Sequence, residues 1–114
     1  GKKVKEPFPS LDRSIIDYAN SIERCDFLDI WLVANCKFCV STATGLDSVA
    51  LSFRRPIVFV NMLPLGDMLS WHRHVVVPKY LIWEHNDQPL SQLEYLTAHY
   101  HESASYKEAG IRII

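Results

Sequence analysis

The sequence predicts an α/β protein with a Rossmann-like three-layer fold and a mainly parallel sheet. Two short apolar runs without polar alternation, at residues 38–40 and 57–60, are typical of central strands covered on both faces. A stretch with helical spacing precedes each run, and the connections between these segments are short. Strand, helix and strand in that order indicate right-handed crossover units on a parallel sheet.

The first helix is predicted to begin at Asp26. Asp26 and Asp29 lie in its first turn, where the helix dipole favours negative charge. Its apolar residues recur at the i, i+3, i+4 and i+7 spacing of one helix face: Phe27, Ile30, Trp31 and Ala34. The second helix lies between the two strands and has the same kind of spacing at Leu46, Val49, Ala50 and Phe53. Pro56 ends this helix, because proline cannot continue it.

Less regular segments surround this unit. Ile15 and Ile16, followed by Asp17, indicate a short strand whose tip carries a carboxylate. Residues 61–74 are predicted to form a mixed loop with a short helix at 68–71. A further strand or extended segment is predicted at 75–77 or at 81–83, and Pro78 separates the two alternatives.

Two more helices are predicted near the end of the chain. Ser91 and Glu94 have the spacing of a capping box, and Leu90 and Tyr95 that of a hydrophobic staple, so a helix is predicted over residues 92–100. The stretch SASYKEAG predicts a short helix that ends at Gly110, because glycine accepts the left-handed conformation easily. The last four residues, 111–114, resemble the beginning of a strand.

Length and composition predict one globular domain over residues 1–114. The chain is 48% hydrophobic and 22% charged, which is the balance of a soluble protein with one core. Its formal net charge of -1 provides no overall basic field to attract nucleic acid or an anionic membrane. No apolar run approaches the roughly 20 residues of a transmembrane segment, and no secretory signal begins the chain. A cytoplasmic location is expected, and the start at Gly1 suggests a fragment of a larger protein.

The three cysteines favour reduced thiols over a disulfide framework, because their number is odd. Cys36 and Cys39 have the C-x-x-C spacing of a redox pair. Such a pair normally opens a helix, whereas Cys36 is predicted to close one. His72 and His74 do not have zinc-finger spacing relative to these cysteines, so no metal site is predicted.

A cluster of small hydroxyl residues follows the first apolar run, at the carboxyl end of the predicted strand. In an open parallel sheet this is the edge where ligands bind, and free amides at a helix start favour a phosphate there. The candidate residues for phosphate binding are Ser41, Thr42, Thr44 and Gly45. The alternative is purely structural: Thr44 and Asp47 match a helix-capping pattern, and Asp47 would repel a phosphate.

The order of motifs resembles the C-terminal, donor-binding half of GT-B glycosyltransferases, and a bacterial glycosyltransferase-like family in particular. The matching segments are "IIDYANS", "CDFLDIWLVANCKFCVSTATGLDSVALSFRRPIVFVNMLPLGD", "VVVPKYL" and "PLSQLEYL", between residue 15 and about residue 96. The resemblance implies a nucleotide-sugar donor at the strand ends and an acceptor held by a missing N-terminal domain. It implies contacts from Ser41, Thr42, Thr44 and Gly45 to the donor phosphates, although Thr44 stands where such families often have serine.

Three further residues are candidates for donor contacts. Asn61 and Asp17 are predicted at strand ends on the same edge and could contact ribose, base or sugar, or could simply form turns. Lys79 follows Pro78 and could screen the charge of a leaving diphosphate, a role needed in transfer without a metal. Arg54 and Arg55 are predicted on the opposite edge. No cofactor is expected, and no residue is assigned as a catalytic base.

Two other classes of function stay open at this point. A doubly wound, non-catalytic ligand-binding or regulatory module would have the same element order. A structural interaction domain would place tryptophans in an interface, although these residues are more often part of a core. A phosphoacceptor receiver domain is disfavoured, because the first predicted strand tip has no cluster of carboxylates.

Overall fold

A three-stranded parallel sheet organises the first half of the chain. The computed structural model describes residues 6–9 and 12–114. Its strands β1 (Cys39–Ser41), β2 (Ile57–Met62) and β3 (His74–Pro78) lie side by side in that order, and both pairs are parallel. The predicted α/β fold with a parallel sheet alternating with helices is therefore confirmed.

Two helices pack beside this sheet at the predicted places. Helix α1 (Asp26–Asn35) and helix α2 (Asp47–Ser52) contact each other, and α2 contacts β1. A buried cluster joins α2 to β2 and contains Ala50, Ile57, Phe59 and Met62. The apolar stripe that predicted α1 is largely exposed, since only its Ala34 is buried.

The sheet buries one face more completely than the other. Ile57 and Phe59 of β2 are 1% and 5% exposed, and they belong to the cluster with α2. The register aligns Val40, Val58 and Val75 across the three strands. Val58 lies between Ile57 and Phe59 in β2, so these valines lie on the other face of the sheet. Val40 and Val75 are both more than half exposed. Within the described chain, the helices therefore cover one face of the sheet.

The second half of the chain has its own small sheet and its own core. Strands β4 (Leu81–Trp83) and β5 (Ile111–Ile113) are antiparallel, with helices α3 (Gln92–Thr97) and α4 (Ser103–Glu108) between them in sequence. The buried residues of this half are Leu81, Leu90, Ala98, Tyr106 and Ile111. The two segments predicted as alternatives, 75–77 and 81–83, both form strands, in β3 and β4.

The start of α3 and the end of α4 have the capping residues that the sequence predicts. The Glu94 amide donates to Ser91 Oγ at 3.4 Å, and the Ser91 amide donates to Glu94 Oε2 at 2.7 Å, so the capping box is confirmed. Helix α3 ends at Thr97, three residues earlier than predicted, and the chain turns into α4 through 98–102. Gly110 has φ of 74°, as its place after α4 predicted.

Two predicted elements are wrong. Ile15 and Ile16 form no strand, because Asp12 and Ser14 make a turn in which the Ser14 amide donates to Asp12 Oδ1 at 2.9 Å. Ile16 is 80% exposed, so burial would not offset the conformational entropy lost on ordering it into a strand. Residues 68–71 are not helical, since a 3-10 helix at Leu65–Asp67 precedes them and Met68 is extended. Among the described residues, no helix is long and apolar enough to span a membrane.

Candidate functional site

The hydroxyl cluster lies at the carboxyl end of β1, as predicted. Ser41 is the last residue of β1 and is buried, whereas residues 42–46 are exposed and α2 begins at Asp47. Because β1, β2 and β3 are parallel, their carboxyl ends lie at the same end of the sheet, which we call its carboxyl edge. The segments that follow β2 and β3 leave the sheet there. We call residues 41–46 the hydroxyl loop.

One amide of the hydroxyl loop is already bound by the chain itself. Asp47 Oδ2 accepts a hydrogen bond of 2.7 Å from the Thr44 amide, and Asp47 is only 7% exposed. Ser41 Oγ lies 3.5 Å from Thr44 Oγ1, within reach of a hydrogen bond. The acidic half of the predicted capping pattern is therefore formed, and it places a buried negative charge at the start of α2.

Other amides of the hydroxyl loop have no acceptor among the described residues. Within residues 6–9 and 12–114, the amides of Ala43, Gly45 and Leu46 donate to no oxygen. Ala43 has φ of 61°, a left-handed conformation that costs a residue with a side chain roughly 1–2 kcal/mol. A Cβ atom built on Gly45 would meet nothing within 4 Å, so the space above this backbone is open. The loop thus offers free donors next to open space.

An apolar cavity of about 260 Å³ adjoins the hydroxyl loop at Leu46. Its lining also includes Tyr18, Arg24, Asp29 and Val33. Arg24 Nε lies 3.9 Å from Asp29 Oδ1, and an Arg24 NH group donates to the Ala19 carbonyl at 3.5 Å. This contact brings a fixed cation to the same cavity as the loop.

Arg24 is the residue that the sequence interpretation missed. Its proximity to Leu46 depends on how residues 18–24 pack against α1 and α2, and Leu46 and α2 are far from Arg24 in sequence. No local spacing records that packing. The only sequence signal was the nearby "IIDYANS" segment, which was assigned its role through Asp17.

Asn61 stands at the carboxyl end of β2, on the predicted edge. Its φ is 56°, and the register between β2 and β3 shifts between Val60 and Met62, so Asn61 occupies a bulge. Asparagine tolerates this left-handed conformation better than most residues. The side chain is exposed, and its contact with a ligand stays a prediction.

Asp17 does not end a strand, so that part of the prediction is wrong. Its Oδ2 accepts hydrogen bonds from the Phe8 amide at 2.9 Å and from Asn20 Nδ2 at 2.8 Å. The first of these bonds, followed by the second, lowers the pKa of the Asp17 carboxyl group. The carboxylate therefore organises the turn before the 3-10 helix Tyr18–Asn20, and it is two residues from the cavity residue Ala19.

Lys79 follows β3 and lines a different cavity. That cavity, of about 390 Å³, also contains Glu84, Lys107 and Arg112, and none of its lining residues comes from the hydroxyl loop. The Lys79 carbonyl accepts a hydrogen bond of 3.2 Å from the Tyr95 hydroxyl group. A contact between Lys79 and a diphosphate therefore stays a prediction.

The cysteines occupy the predicted places. Cys36 is the C-cap of α1, and Cys39 begins β1. Burial, followed by the neighbouring Cys36 and Asp47, raises the pKa of the Cys39 thiol, which is the opposite of what a reactive redox cysteine needs. All three cysteines are free thiols. In the part of the chain that the structure describes, no group of three His, Cys, Asp or Glu side chains is placed to hold a metal.

The fold and this edge define the class of the protein as a mixed α/β domain with a parallel sheet. No protein-family model matches the chain, and comparisons with curated proteins and with solved structures give no match either. The resemblance to GT-B glycosyltransferases therefore stays a prediction.

Proposed function

We propose that this chain binds a nucleotide sugar and forms the donor half of a metal-independent glycosyltransferase. The acceptor, in this proposal, is held by a separate N-terminal domain. The observation that carries the proposal is the hydroxyl loop. In the part of the chain that the structure describes, the amides of Ala43, Gly45 and Leu46 have no protein acceptor, and they lie at the carboxyl edge of a parallel sheet. This is the edge where parallel α/β sheets bind ligands.

The surroundings of the loop support a nucleotide-sugar ligand, whose diphosphate would meet the loop and whose less polar portion would meet the neighbouring cavity. The open space above Gly45 leaves room for a phosphate to approach the backbone. The cavity at Leu46 offers an apolar surface and contains the guanidinium group of Arg24, whose charge is partly offset by the Asp29 carboxylate at 3.9 Å. Thr42 and Thr44 are exposed and add hydroxyl donors.

A second candidate is a non-catalytic ligand-binding module, and Asp47 favours it. This buried carboxylate already satisfies the Thr44 amide and adds a negative charge beside the free amides. A phosphate at the same helix start would be repelled by that charge. In a module of this kind, the free amides would donate to the oxygen atoms of a neutral ligand.

The first test compares two substitutions of Gly45. Gly45→Ala is expected to leave the melting temperature unchanged or slightly higher, because Gly45 has no positive φ and its Cβ position is empty. Gly45→Val places a branched side chain in that space and is expected to abolish ligand-induced stabilisation. The measurement is a thermal-shift series with UDP, GDP, ADP and CMP, each with and without a linked sugar.

Thr42→Val provides a second disruption of the same site, and Thr97→Val on α3 is its control. We expect stabilisation by one nucleotide diphosphate in the native chain and in Thr97→Val, and a loss of it in Thr42→Val. A native chain that responds to none of the nucleotides contradicts the proposal. Equal responses in Gly45→Val and Gly45→Ala contradict the placement of the phosphates.

Neutralising Asp47 separates the two candidate functions. Asp47→Asn keeps an oxygen that can accept from the Thr44 amide, so the expected loss of stability is about 1 kcal/mol. Removal of the buried charge is expected to tighten nucleotide diphosphate binding by roughly tenfold, because that charge opposes the phosphates. Isothermal titration calorimetry measures the change, with Glu108→Gln on the exposed end of α4 as the control. Unchanged or weaker binding in Asp47→Asn favours the non-catalytic module.

A further inference from the structure

A basic cleft lies at the edge of the sheet opposite the hydroxyl loop. It is formed between the end of α2 and the segment that leads into β3, and its volume is about 450 Å³. Its lining residues are Leu51, Ser52, Arg54, Trp71, His72 and Arg73. No acidic side chain is among them.

Two hydrogen bonds hold the walls of this cleft together. His72 Nε2 lies 2.8 Å from the Arg55 carbonyl and donates to it, because a carbonyl oxygen can only accept. The Ile57 amide donates to the Arg73 carbonyl at 3.2 Å. The backbone that carries Arg54 and the backbone that carries Arg73 are therefore fixed next to each other.

The arginines of this region have different partners. Arg55 Nε donates to the Ala34 carbonyl at 2.6 Å, so Arg55 stabilises the end of α1. In residues 6–9 and 12–114, the side chains of Arg54 and Arg73 make no ion pair and no hydrogen bond. Two guanidinium groups without carboxylate partners thus line one cleft, and guanidinium groups bind phosphate with paired hydrogen bonds.

Arg54 occupies a backbone position that favours glycine. Its φ is 53°, just after α2 ends at Ser52 and Phe53 caps it. Glycine is preferred in this left-handed position at helix ends, and an arginine is disfavoured there. The backbone therefore does not explain why an arginine stands at residue 54.

Trp71 supplies a flat apolar surface at the same cleft. Its side chain is 70% exposed, and its ring stands edge-on to His72 with the centroids 5.7 Å apart. The faces of tryptophan rings pack well against sugar and aromatic rings. The cleft thus combines two cations with one exposed aromatic surface.

We propose that this cleft is a second binding site. Its ligand is a phosphate monoester in which the phosphate is attached to a sugar or aromatic ring. Arg54 and Arg73 bind the phosphate, and Trp71 packs against the ring. The site is independent of the proposed nucleotide-sugar site, since the two lie at opposite edges of the sheet and share no residue.

The test uses phenyl phosphate as the probe and follows the amide, arginine Nε and tryptophan indole signals of the ¹⁵N-labelled chain by NMR. Inorganic phosphate, benzoate and sodium chloride at equal ionic strength are the comparison solutions. We expect phenyl phosphate to shift the signals of Trp71, Arg54 and Arg73 in a saturable way. Inorganic phosphate and benzoate should bind several-fold more weakly, because each lacks one half of the recognised group.

Three variants test the residues. Arg54→Gly is expected to keep or raise the melting temperature, because glycine suits the positive φ, and to weaken phenyl phosphate binding about tenfold. Arg73→Gln should weaken it to a similar degree. Arg13→Gln, at an exposed position in another segment, should bind as the native chain does.

Several results would overturn the proposal. If phenyl phosphate causes no saturable shift of the Trp71 NMR signals, the cleft is not a binding site for it. Shifts that sodium chloride reproduces would reduce it to an effect of ionic strength. Benzoate binding as tight as phenyl phosphate binding would exclude a phosphate site, and native affinity in the folded Arg54→Gly variant would exclude the role of Arg54.

Discussion

Replacing Tyr106 with alanine is expected to lower the free energy of unfolding by about 3–5 kcal/mol, the range for large aromatic truncations in a core. Tyr106 is 2% exposed and lies in the core of the second half with Leu81, Leu90 and Ile111. Its hydroxyl group donates to the Ala98 carbonyl at 3.1 Å, and this bond ties α4 to the end of α3. Urea unfolding monitored by circular dichroism measures the loss.

Tyr106→Phe is the matched control, because it keeps the ring and removes only the hydroxyl group. It is expected to cost about 1 kcal/mol near neutral pH. A loss in Tyr106→Ala no larger than in Tyr106→Phe would contradict the core position of the ring.

The same pair of proteins gives a pH test with a defined sign. Burial raises the pKa of Tyr106 above its ordinary value of 10.0. The unfolded chain therefore loses this proton at lower pH than the folded chain does. The contribution of Tyr106 to stability is complete below pH 10.0 and is lost as the pH rises towards the folded pKa. Tyr106→Phe should show a smaller decrease of stability in this alkaline range.

The helices and the parallel strands were predictable because their signals are local. The spacing of apolar residues located α1 and α2, and the capping box of Ser91 and Glu94 located the start of α3. The same spacing did not identify the buried side of α1, where Phe27 is 71% exposed while Ala34 is buried. Periodicity indicates that a helix has an apolar face, but the packing of α1 against α2 decides which residues are covered.

The wrong strand and the wrong placement of Asp17 have one physical cause. Ile15 and Ile16 have strand-forming side chains, but a strand needs a partner, and the turn at Asp12 leaves them unpaired and exposed. Asp17 was consequently assigned to a strand end, whereas its carboxylate binds the Phe8 amide. Local propensity cannot supply a pairing partner.

The candidate site was predictable only in part. Ser41 and the exposed loop after it follow from the end of β1, and the contact of Asp47 with the Thr44 amide follows from their spacing. The cavity with Arg24 and the separate cavity that Lys79 lines both depend on tertiary packing. Sequence spacing therefore located the backbone of the site but not the charges around it.

The two cores meet within two consecutive residues of the chain. Met62 is buried in the cluster around β2, while Leu63 packs against the cluster around Tyr106. The short 3-10 helix Leu65–Asp67 also contacts α3. Because β2 ends where the second core begins, a substitution in either core is expected to alter the packing at the carboxyl edge of the sheet.

Replacing Phe59 with alanine is expected to cost about 3–5 kcal/mol and to disturb the hydroxyl loop as well. Phe59 is 5% exposed, pairs in register with Ser41, and contacts the His74 ring edge-on with centroids 6.0 Å apart. Its removal leaves a cavity directly beside the residue at which the loop begins, so the loop loses support from β2.

Phe59→Leu is the control that retains an apolar side chain at this position, and its expected cost is smaller because less volume is lost. Urea unfolding gives the stability of both variants, and hydrogen exchange at residues 41–46 gives the local opening of the loop. We expect faster exchange in Phe59→Ala than in Phe59→Leu, beyond what global unfolding explains, because the empty space lies under Ser41. Equal exchange in the two variants would show that the loop does not depend on Phe59, and its geometry would then rest on the Asp47 hydrogen bond to the Thr44 amide.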